Sequence, residues 1–378
     1  MSARIVVFGA TGYTGRLVSE ALVERGADPL LAGRSRDRLA DLASELGGLE
    51  IRVADVSDQA SVAALVEAGD VLVSTVGPFV RWGEVAARAA IERGAHYIDS
   101  TGEPQFIRAV FEERGPAAER AGVGMLTAFG YDYVPGNLAG GLALSDAGAA
   151  ARRIDVGYFL TGRPAVNGGL RSLLGGGLGG MSGGTLASTM EALARPSFAF
   201  RDGRIVAERG ARRVRSFDLG GRSSQGFSVG ASEHFALPRL APDLREVNAY
   251  LGWFGPLSRV VQASGVVNAA LASVPAGRRA LAAAAARASG STGGPSAEIR
   301  AGTGSVIVAV AYDGAGAELA NTRLVGVNGY TFTGEILAWG AIRAAEGGLA
   351  GAGALGPVEA FGLDGLREGV ASAGLRVQ

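Results

Sequence analysis

Ile5-Val6-Val7-Phe8-Gly9-Ala10-Thr11-Gly12-Tyr13-Thr14-Gly15 lies at the start of the chain and decides how the next hundred residues are read. The four apolar residues read as a buried strand, and the stretch after Gly15 has the periodicity of an amphipathic helix. Between them the glycines recur as GxxGxxG. Glycine permits a turn this tight and lets a pyrophosphate approach the main chain closely. A helix beginning near Tyr13 directs its unpaired N–H groups and positive dipole end at the same point. The plainer reading is a strand–turn–helix with incidental glycines. Strand, loop and helix in the required order favour a phosphate cradle made of Gly9, Thr11, Gly12, Tyr13, Thr14 and Gly15.

Working outward, short apolar runs alternate with helical patterns through the first 130 residues. Strands are expected at Arg4–Phe8, Pro29–Ala32, Glu50–Val53, Val71–Thr75, Tyr97–Asp99 and Gly124–Thr127. Helices are expected at Gly15–Arg25, Arg36–Leu46, Ser61–Ala68, Gly83–Glu92 and Gln105–Ala121. This alternation predicts right-handed βαβ units and a doubly wound, Rossmann-type parallel sheet.

The second strand ends in Leu30-Leu-Ala-Gly33-Arg34-Ser35-Arg36-Asp37-Arg38. Dinucleotide sites that prefer NAD carry an acidic residue there for the ribose hydroxyls. Here Arg34 takes that place, Gly33 leaves room, and Ser35 and Arg38 lie within reach, a set suited to a 2′-phosphate. The expected cofactor is therefore NADP(H). Arg36 reads as part of a solvated helix face. Asp55, after the third strand, either faces the adenine or caps the next helix.

Composition narrows the chemistry. The 378 residues are 48% hydrophobic and 19% charged, which suits a globular chain of two or three units. Thirty-six basic residues balance thirty-six acidic ones, so no net field draws nucleic acid or an anionic membrane. Cysteine is absent, which removes disulfides and thiolate chemistry. Every basic residue is Arg, so Schiff-base catalysis is closed. With only His96 and His234 present, no metal centre is expected. The first residues lack a signal peptide's layout, and Ser172–Met190 is too rich in Gly, Ser and Thr for a membrane span. The cytoplasm is the expected location, with a small-molecule substrate and a homodimer as an option.

After Tyr133-Val-Pro-Gly136 the pattern changes. Strand-like segments at Arg153–Leu160, Ser197–Asp202, Ser228–Phe235 and Ser296–Tyr312 predict an α+β domain with a mostly antiparallel sheet. Gly334–Glu346 reads as a helix with an apolar side of Ile336, Leu337, Trp339 and Ile342. The expected division is residues 1–136 for the nucleotide and residues 137–329 for substrate and dimerisation. The segment from Gly168 to Ser188, with many glycines and the single charge Arg171, is expected to border an apolar substrate cavity.

Several motifs recur together in family order. They are Val73-Ser-Thr-Val-Gly-Pro-Phe79, His96-Tyr-Ile-Asp-Ser-Thr-Gly-Glu103, Phe129-Gly-Tyr-Asp-Tyr-Val-Pro-Gly136, Ser182-Gly-Gly-Thr-Leu-Ala-Ser188 and Asn328-Gly-Tyr-Thr-Phe-Thr333. On these the chain resembles the saccharopine dehydrogenase-like reductases, and within them the trans-acting enoyl reductase branch. The resemblance implies a Rossmann domain of residues 1–136 completed by the C-terminal segment 330–378 with its helix, and the middle domain over the nicotinamide. Ligands in open α/β sheets bind beyond the carboxyl ends of the strands. Gly77, Pro78, Phe79, Thr101, Gly102 and Glu103 all follow strands and are expected on the cofactor rim. Pro78 and Phe79 read equally as a plain strand exit, and Glu103 either caps a helix or holds a ribose.

Reduction needs a hydride from the nicotinamide and usually a proton from an acid or water. A Tyr-x-x-x-Lys mechanism is closed without Lys. His96 reads as structural and His234 as a half-buried strand residue. Tyr131, Asp132 and Tyr133 remain as candidates: a tyrosine as donor, Asp132 to orient a donor or hold a turn. Ser182 and Thr185 are candidates for the pocket mouth. The expected reaction is reduction of an activated C=C bond in an apolar metabolite. The alternatives are C–N chemistry on an amino-acid-like substrate, with Arg163 or Arg171 holding a carboxylate, and an NADP-sensing regulator.

Overall fold

The computed structural model describes residues 3–162, 196–253, 255, 258–263, 277 and 293–378. The chain divides into two compact units. Unit 1 comprises residues 1–101, 106–134 and 329–374, and unit 2 comprises 102–105, 135–328 and 375–378.

Unit 1 is built on a seven-stranded parallel sheet. Its strands are β1 (Ile5–Phe8), β2 (Leu30–Gly33), β3 (Ile51–Val53), β4 (Val71–Ser74), β5 (His96–Asp99), β6 (Gly124–Leu126) and a late strand, Gly353–Ala354. Their order, with the late strand at one edge, is Gly353–Ala354, β6, β5, β4, β1, β2, β3. Every residue of β1, β2 and β4 is buried, which is why these strands read as unbroken apolar runs rather than alternating ones. The helices between them are α1 (Tyr13–Glu24), α2 (Arg36–Glu45), α3 (Gln59–Ala63), α4 (Phe79–Arg93), α5 (Pro104–Ala109) and α6 (Gly115–Ala121). Helix α3 is shorter than the pattern from Ser61 to Ala68 predicts. A π-turn at Val110–Arg114 interrupts the expected single helix between α5 and α6.

Unit 2 begins with α7 (Val134–Ala147), an almost uniformly apolar helix that amphipathic periodicity could not reveal. Its sheet has nine strands: β7 (Arg153–Gly162), β8 (Pro196–Arg201), β9 (Arg204–Arg209), β10 (Val214–Asp218), β11 (Ser223–Val229), β12 (Glu246–Leu251), β13 (Thr303–Tyr312), β14 (Glu318–Val327) and the tail strand Leu375–Val377. All pairings are antiparallel except that of β12 with β7. Val306, Val308, Val310 and Tyr312 occupy one face of β13 at the strand period of two. They form a core cluster with Phe159, Phe217 and Tyr250. At its edge Asp155 is buried, pairs with Arg215 and accepts from Asn248 Nδ2 at 2.6 Å.

Two expected strands are corrected in unit 2. The Ser228–Phe235 run stops at Val229, and Glu233–Leu240 is a helix, α8, so His234 is a buried helical residue. Ser296 caps a short helix, α9 (Ala297–Ala301), and β13 begins only at Thr303. The chain then returns to unit 1 as α10 (Gly329–Ala345), followed by α11 (Pro357–Phe361) and α12 (Leu363–Ser372). Helix α10 packs along α1 and reaches β1, β4 and β5, burying Phe332, Ile336, Leu337 and Ala341.

Candidate nucleotide-binding site

The loop from Gly9 to Gly12 is held from beneath by backbone bonds. Gly9 and Ala10 N–H groups donate to Ala32 O at 2.9 and 3.1 Å, and Gly12 N–H donates to Gly9 O at 2.9 Å. A Cβ on Gly15 would stand 2.2 Å from Gly9 O, and one on Gly9, whose φ is +93°, would stand 2.7 Å from Thr75 Oγ1. Helix and strand therefore approach as closely as they do only because both residues are glycine. No side chain caps the first turn of α1, where Gly12 holds the cap position. Thr75 Oγ1 donates to Gly9 O at 3.2 Å and braces the loop from β4.

At the end of β2, Arg34 is exposed and Ser35 stands at the N-cap of α2 without a side-chain capping bond. Arg38 donates from Nη2 to Thr11 O at 2.8 Å, which ties the phosphate loop to α2. Asp55 Oδ1 accepts from the Ser57 hydroxyl at 2.6 Å and the Ser57 amide at 2.8 Å. Those bonds, with the charge of Arg34, hold its carboxyl below the usual range. The helix cap is Asp58, which accepts from the amides of Ala60 and Ser61, so Asp55 is not the cap.

Beyond β4, Gly77 is exposed and Pro78 occupies the N-cap of α4. Phe79 turns inward, its ring buried 5.6 Å from that of Phe106. Thr101 is buried, and its amide donates to Asp99 Oδ1 at 2.9 Å. Gly102 and the buried Glu103 cluster with unit 2.

Tyr131 and Tyr133 are both buried. The Tyr131 ring lies against Gly329, where a Cβ would stand 2.9 Å from its Cγ, and its amide donates to Thr333 Oγ1 at 3.0 Å. Tyr330 meets Tyr13 edge to face, centroids 5.3 Å apart. The first turn of α10 therefore touches both the phosphate loop and the loop after β6. Tyr330 and Thr333 belong to the motif Asn328–Thr333 but were not among the expected site residues. Thr333 meets Tyr131 across 202 residues of chain and Tyr330 meets Tyr13 across still more, separations that no local spacing reveals.

Asp132 is half-buried as a residue, yet its Oδ1 is shut from solvent and accepts no hydrogen bond among the described residues. Burial pushes its carboxyl up to about 7. His96 accepts from Gly124 N–H through Nδ1 at 3.0 Å, a structural bond. His234, in unit 2, is held neutral by burial, pushed down to about 3. Arg163, Arg171, Ser182, Thr185 and the whole segment Gly168–Ser188 lie outside the described residues.

A parallel sheet with a glycine loop between its first strand and first helix, and a basic residue ending its second strand, defines a dinucleotide-binding domain of the oxidoreductase type. Residues 5–125 match the saccharopine dehydrogenase NADP-binding domain. A Mycobacterium tuberculosis protein provisionally named a trans-acting enoyl reductase is 36% identical over 199 residues, 51% of this chain and 45% of that protein. The human saccharopine dehydrogenase-like oxidoreductase is 33% identical over 155 residues, 35% of each chain. The matched part thus spans less than half the length of these relatives. In fold, the chain is similar across 100% of its length to a saccharopine dehydrogenase from Saccharomyces cerevisiae, at TM-score 0.62 and 14% identity, covering 99% of that chain.

Among the described residues no helix is long and apolar enough to cross a membrane, and no group of His, Asp or Glu is placed to hold a metal ion.

Proposed function

We propose that this chain is an NADPH-dependent reductase that delivers hydride to a small, largely apolar metabolite with an activated C=C bond. The observation that carries the reading is the cradle: Gly15 backs onto Gly9 O where a side chain would collide, beneath an uncapped helix end. That arrangement fits a pyrophosphate. Arg34 and Ser35 are the residues for the 2′-phosphate, and Arg38 steadies the loop through Thr11 O. Gly77 offers exposed main chain on the nicotinamide side.

NADPH, when bound, supplies the hydride from C4 of its nicotinamide. The protein's part is to orient the acceptor and move a proton. We assign the proton to Asp132, whose buried carboxyl is half-protonated near neutral pH, as a general acid requires. Tyr131 and Tyr133 serve as packing that holds the Asp132 loop. Unit 2 is assigned to the substrate. The choice of C=C over C=N rests on the 36% identity with the mycobacterial protein of that name.

The test is NADPH oxidation followed by absorbance, with separate panels of enones and cyclic imines. Turnover of enones is expected. Turnover of imines alone would replace the assignment with C–N chemistry, and tight NADPH binding without turnover of either would point to a sensor.

A further inference from the structure

Asp99 ends β5 in the middle of the sheet and is fully buried. Its Oδ1 accepts two amide protons, from Thr101 N–H at 2.9 Å and from Ala128 N–H at 2.9 Å. Its backbone carbonyl accepts a third, from Phe129 N–H at 2.7 Å. One residue thus holds the loop leaving its own strand and the loop leaving the neighbouring strand β6.

The second loop needs holding. Ala128 has φ +57°, in the left-handed region that a residue with a Cβ avoids. From there Tyr133 N–H donates back to Ala128 O at 2.7 Å and Val134 N–H to Gly130 O at 3.0 Å, closing the turn that carries Asp132. The carboxyl group also interacts with Tyr97 on the same strand and with Thr127 at the end of β6. Ser74, which pairs with Asp99 in register, completes the group. All four side chains are buried, and the Thr127 and Tyr97 hydroxyls both favour the charged form of Asp99. A simple structural tether would not need a charge in such surroundings. Burial pushes the Asp99 carboxyl up to about 6 while the Ala128 and Thr101 amides oppose that shift, so at neutral pH the anion persists and its amide bonds are charge-assisted.

We propose that Asp99 is a positioning residue whose buried carboxylate sets the conformation of the Ala128–Tyr133 loop, and through it the placement of Asp132. The inference takes the reductase reading as its frame, since only there does the loop have a reaction to serve. Asp99 touches neither substrate nor cofactor in this role. The loop and the phosphate cradle are held by different bonds: the cradle by Ala32, Thr75 and Arg38, the loop by Asp99, while the first turn of α10 touches both through Tyr330 on Tyr13 and Thr333 on Tyr131. Removing the charge should therefore loosen one and spare the other.

The experiment compares full-length wild type with Asp99→Asn and Thr127→Val by three readouts: amide exchange, NADPH affinity and steady-state kinetics. Asn keeps an acceptor oxygen but loses the charge. For Asp99→Asn, exchange of the Ala128–Tyr133 amides should rise about tenfold or more, as a charge-assisted bond becomes neutral. Amides of the Gly9–Gly15 loop should keep wild-type rates and the Kd for NADPH should stay within about threefold, while kcat falls at least about tenfold with KM little changed. Unchanged exchange at Ala128–Tyr133 overturns the proposal, and so does a uniform rise through all of unit 1, which would make Asp99 merely structural. Should Asp99→Asn fail to fold, Thr127→Val decides: faster exchange confined to the same loop supports the proposal and wild-type exchange overturns it. If the wild type turns over no enone or imine, the reductase reading fails by that result alone, and the exchange pattern still decides whether Asp99 holds the loop.

Discussion

Arg34 is exposed at the end of β2, and among the described residues no hydrogen bond or ion pair engages its guanidinium. A planar cation exposed beside the glycine loop, with the Asp55 carboxylate as an electrostatic neighbour and no hydrogen bond of its own among the described residues, suits an anion that arrives with the ligand. Wild type should bind NADPH at least about tenfold more tightly than NADH, and Arg34→Ala should remove most of that preference, since a charge-assisted hydrogen bond is worth about 1.5–3 kcal/mol. Fluorescence titration of both cofactors measures it, and equal wild-type affinities would refute the assignment. Asp132 supports a second prediction at this scale. Its acid form is lost as pH rises through about 7. A reaction that draws its proton from this carboxyl should show kcat/KM level at lower pH and falling above about 7. Asp132→Asn should abolish that limb and cost about 100-fold or more in kcat. A limb that survives in the Asn variant would assign the proton to another group.

At the scale of elements, what the sequence disclosed depended on how each element is buried. The strands β1, β2 and β4 are covered on both faces and stand out as apolar runs bounded by glycine and polar residues. Strands β9 and β14 are half-exposed and carry charges such as Arg204, Glu208, Glu318 and Arg323, so they escape a search for apolar runs. Ser-Glu-His-Phe alternates like a strand for four residues, and only the fold makes it the start of α8. The cradle could be read because its residues are consecutive. The Asp99 clamp could not, because it joins Thr101 to Ala128 through a third residue. Gly334 of α10 shows how a single element supports the site. A Cβ there would stand 3.0 Å from Leu17 Cβ and 3.1 Å from Leu17 O on α1. Gly334→Val should push α10 off α1, destabilise by about 1–3 kcal/mol as overpacked cores do, and weaken NADPH binding through the displaced α1. Gly365→Ala, whose new Cβ would meet nothing nearer than 4.0 Å, should change neither. Thermal unfolding with and without NADPH separates the two variants, and an unaffected Gly334→Val would mean that α10 does not set the position of α1.

For the whole molecule, the chain's path matters more than its domain count. Unit 1 is assembled from three separate segments, so no single cut releases it. Its last segment is integral: α10 buries Phe332, Ile336 and Leu337 against α1 and the sheet, and the Gly353–Ala354 strand extends that sheet beside β6. At about 1.5–3 kcal/mol for each large apolar side chain, those three contribute about 5–9 kcal/mol, comparable to the whole stability of an ordinary domain. A fragment ending at Val134 should therefore remain unfolded or aggregate. The Tyr131 ring resting on Gly329 brings the exit of the first part of unit 1 close to the entry of its last segment. Joining residue 134 to residue 329 through a short Gly/Ser linker should accordingly restore a folded unit that binds NADPH within about tenfold of the full chain, as a closed loop of few residues costs little entropy. Far-UV circular dichroism and NADPH titration of both fragments make the comparison. Cofactor binding by the fragment ending at Val134 would show that the C-terminal segment is dispensable, against the packing of α10, and its absence from the linked form would show that residues of unit 2 complete the nucleotide site.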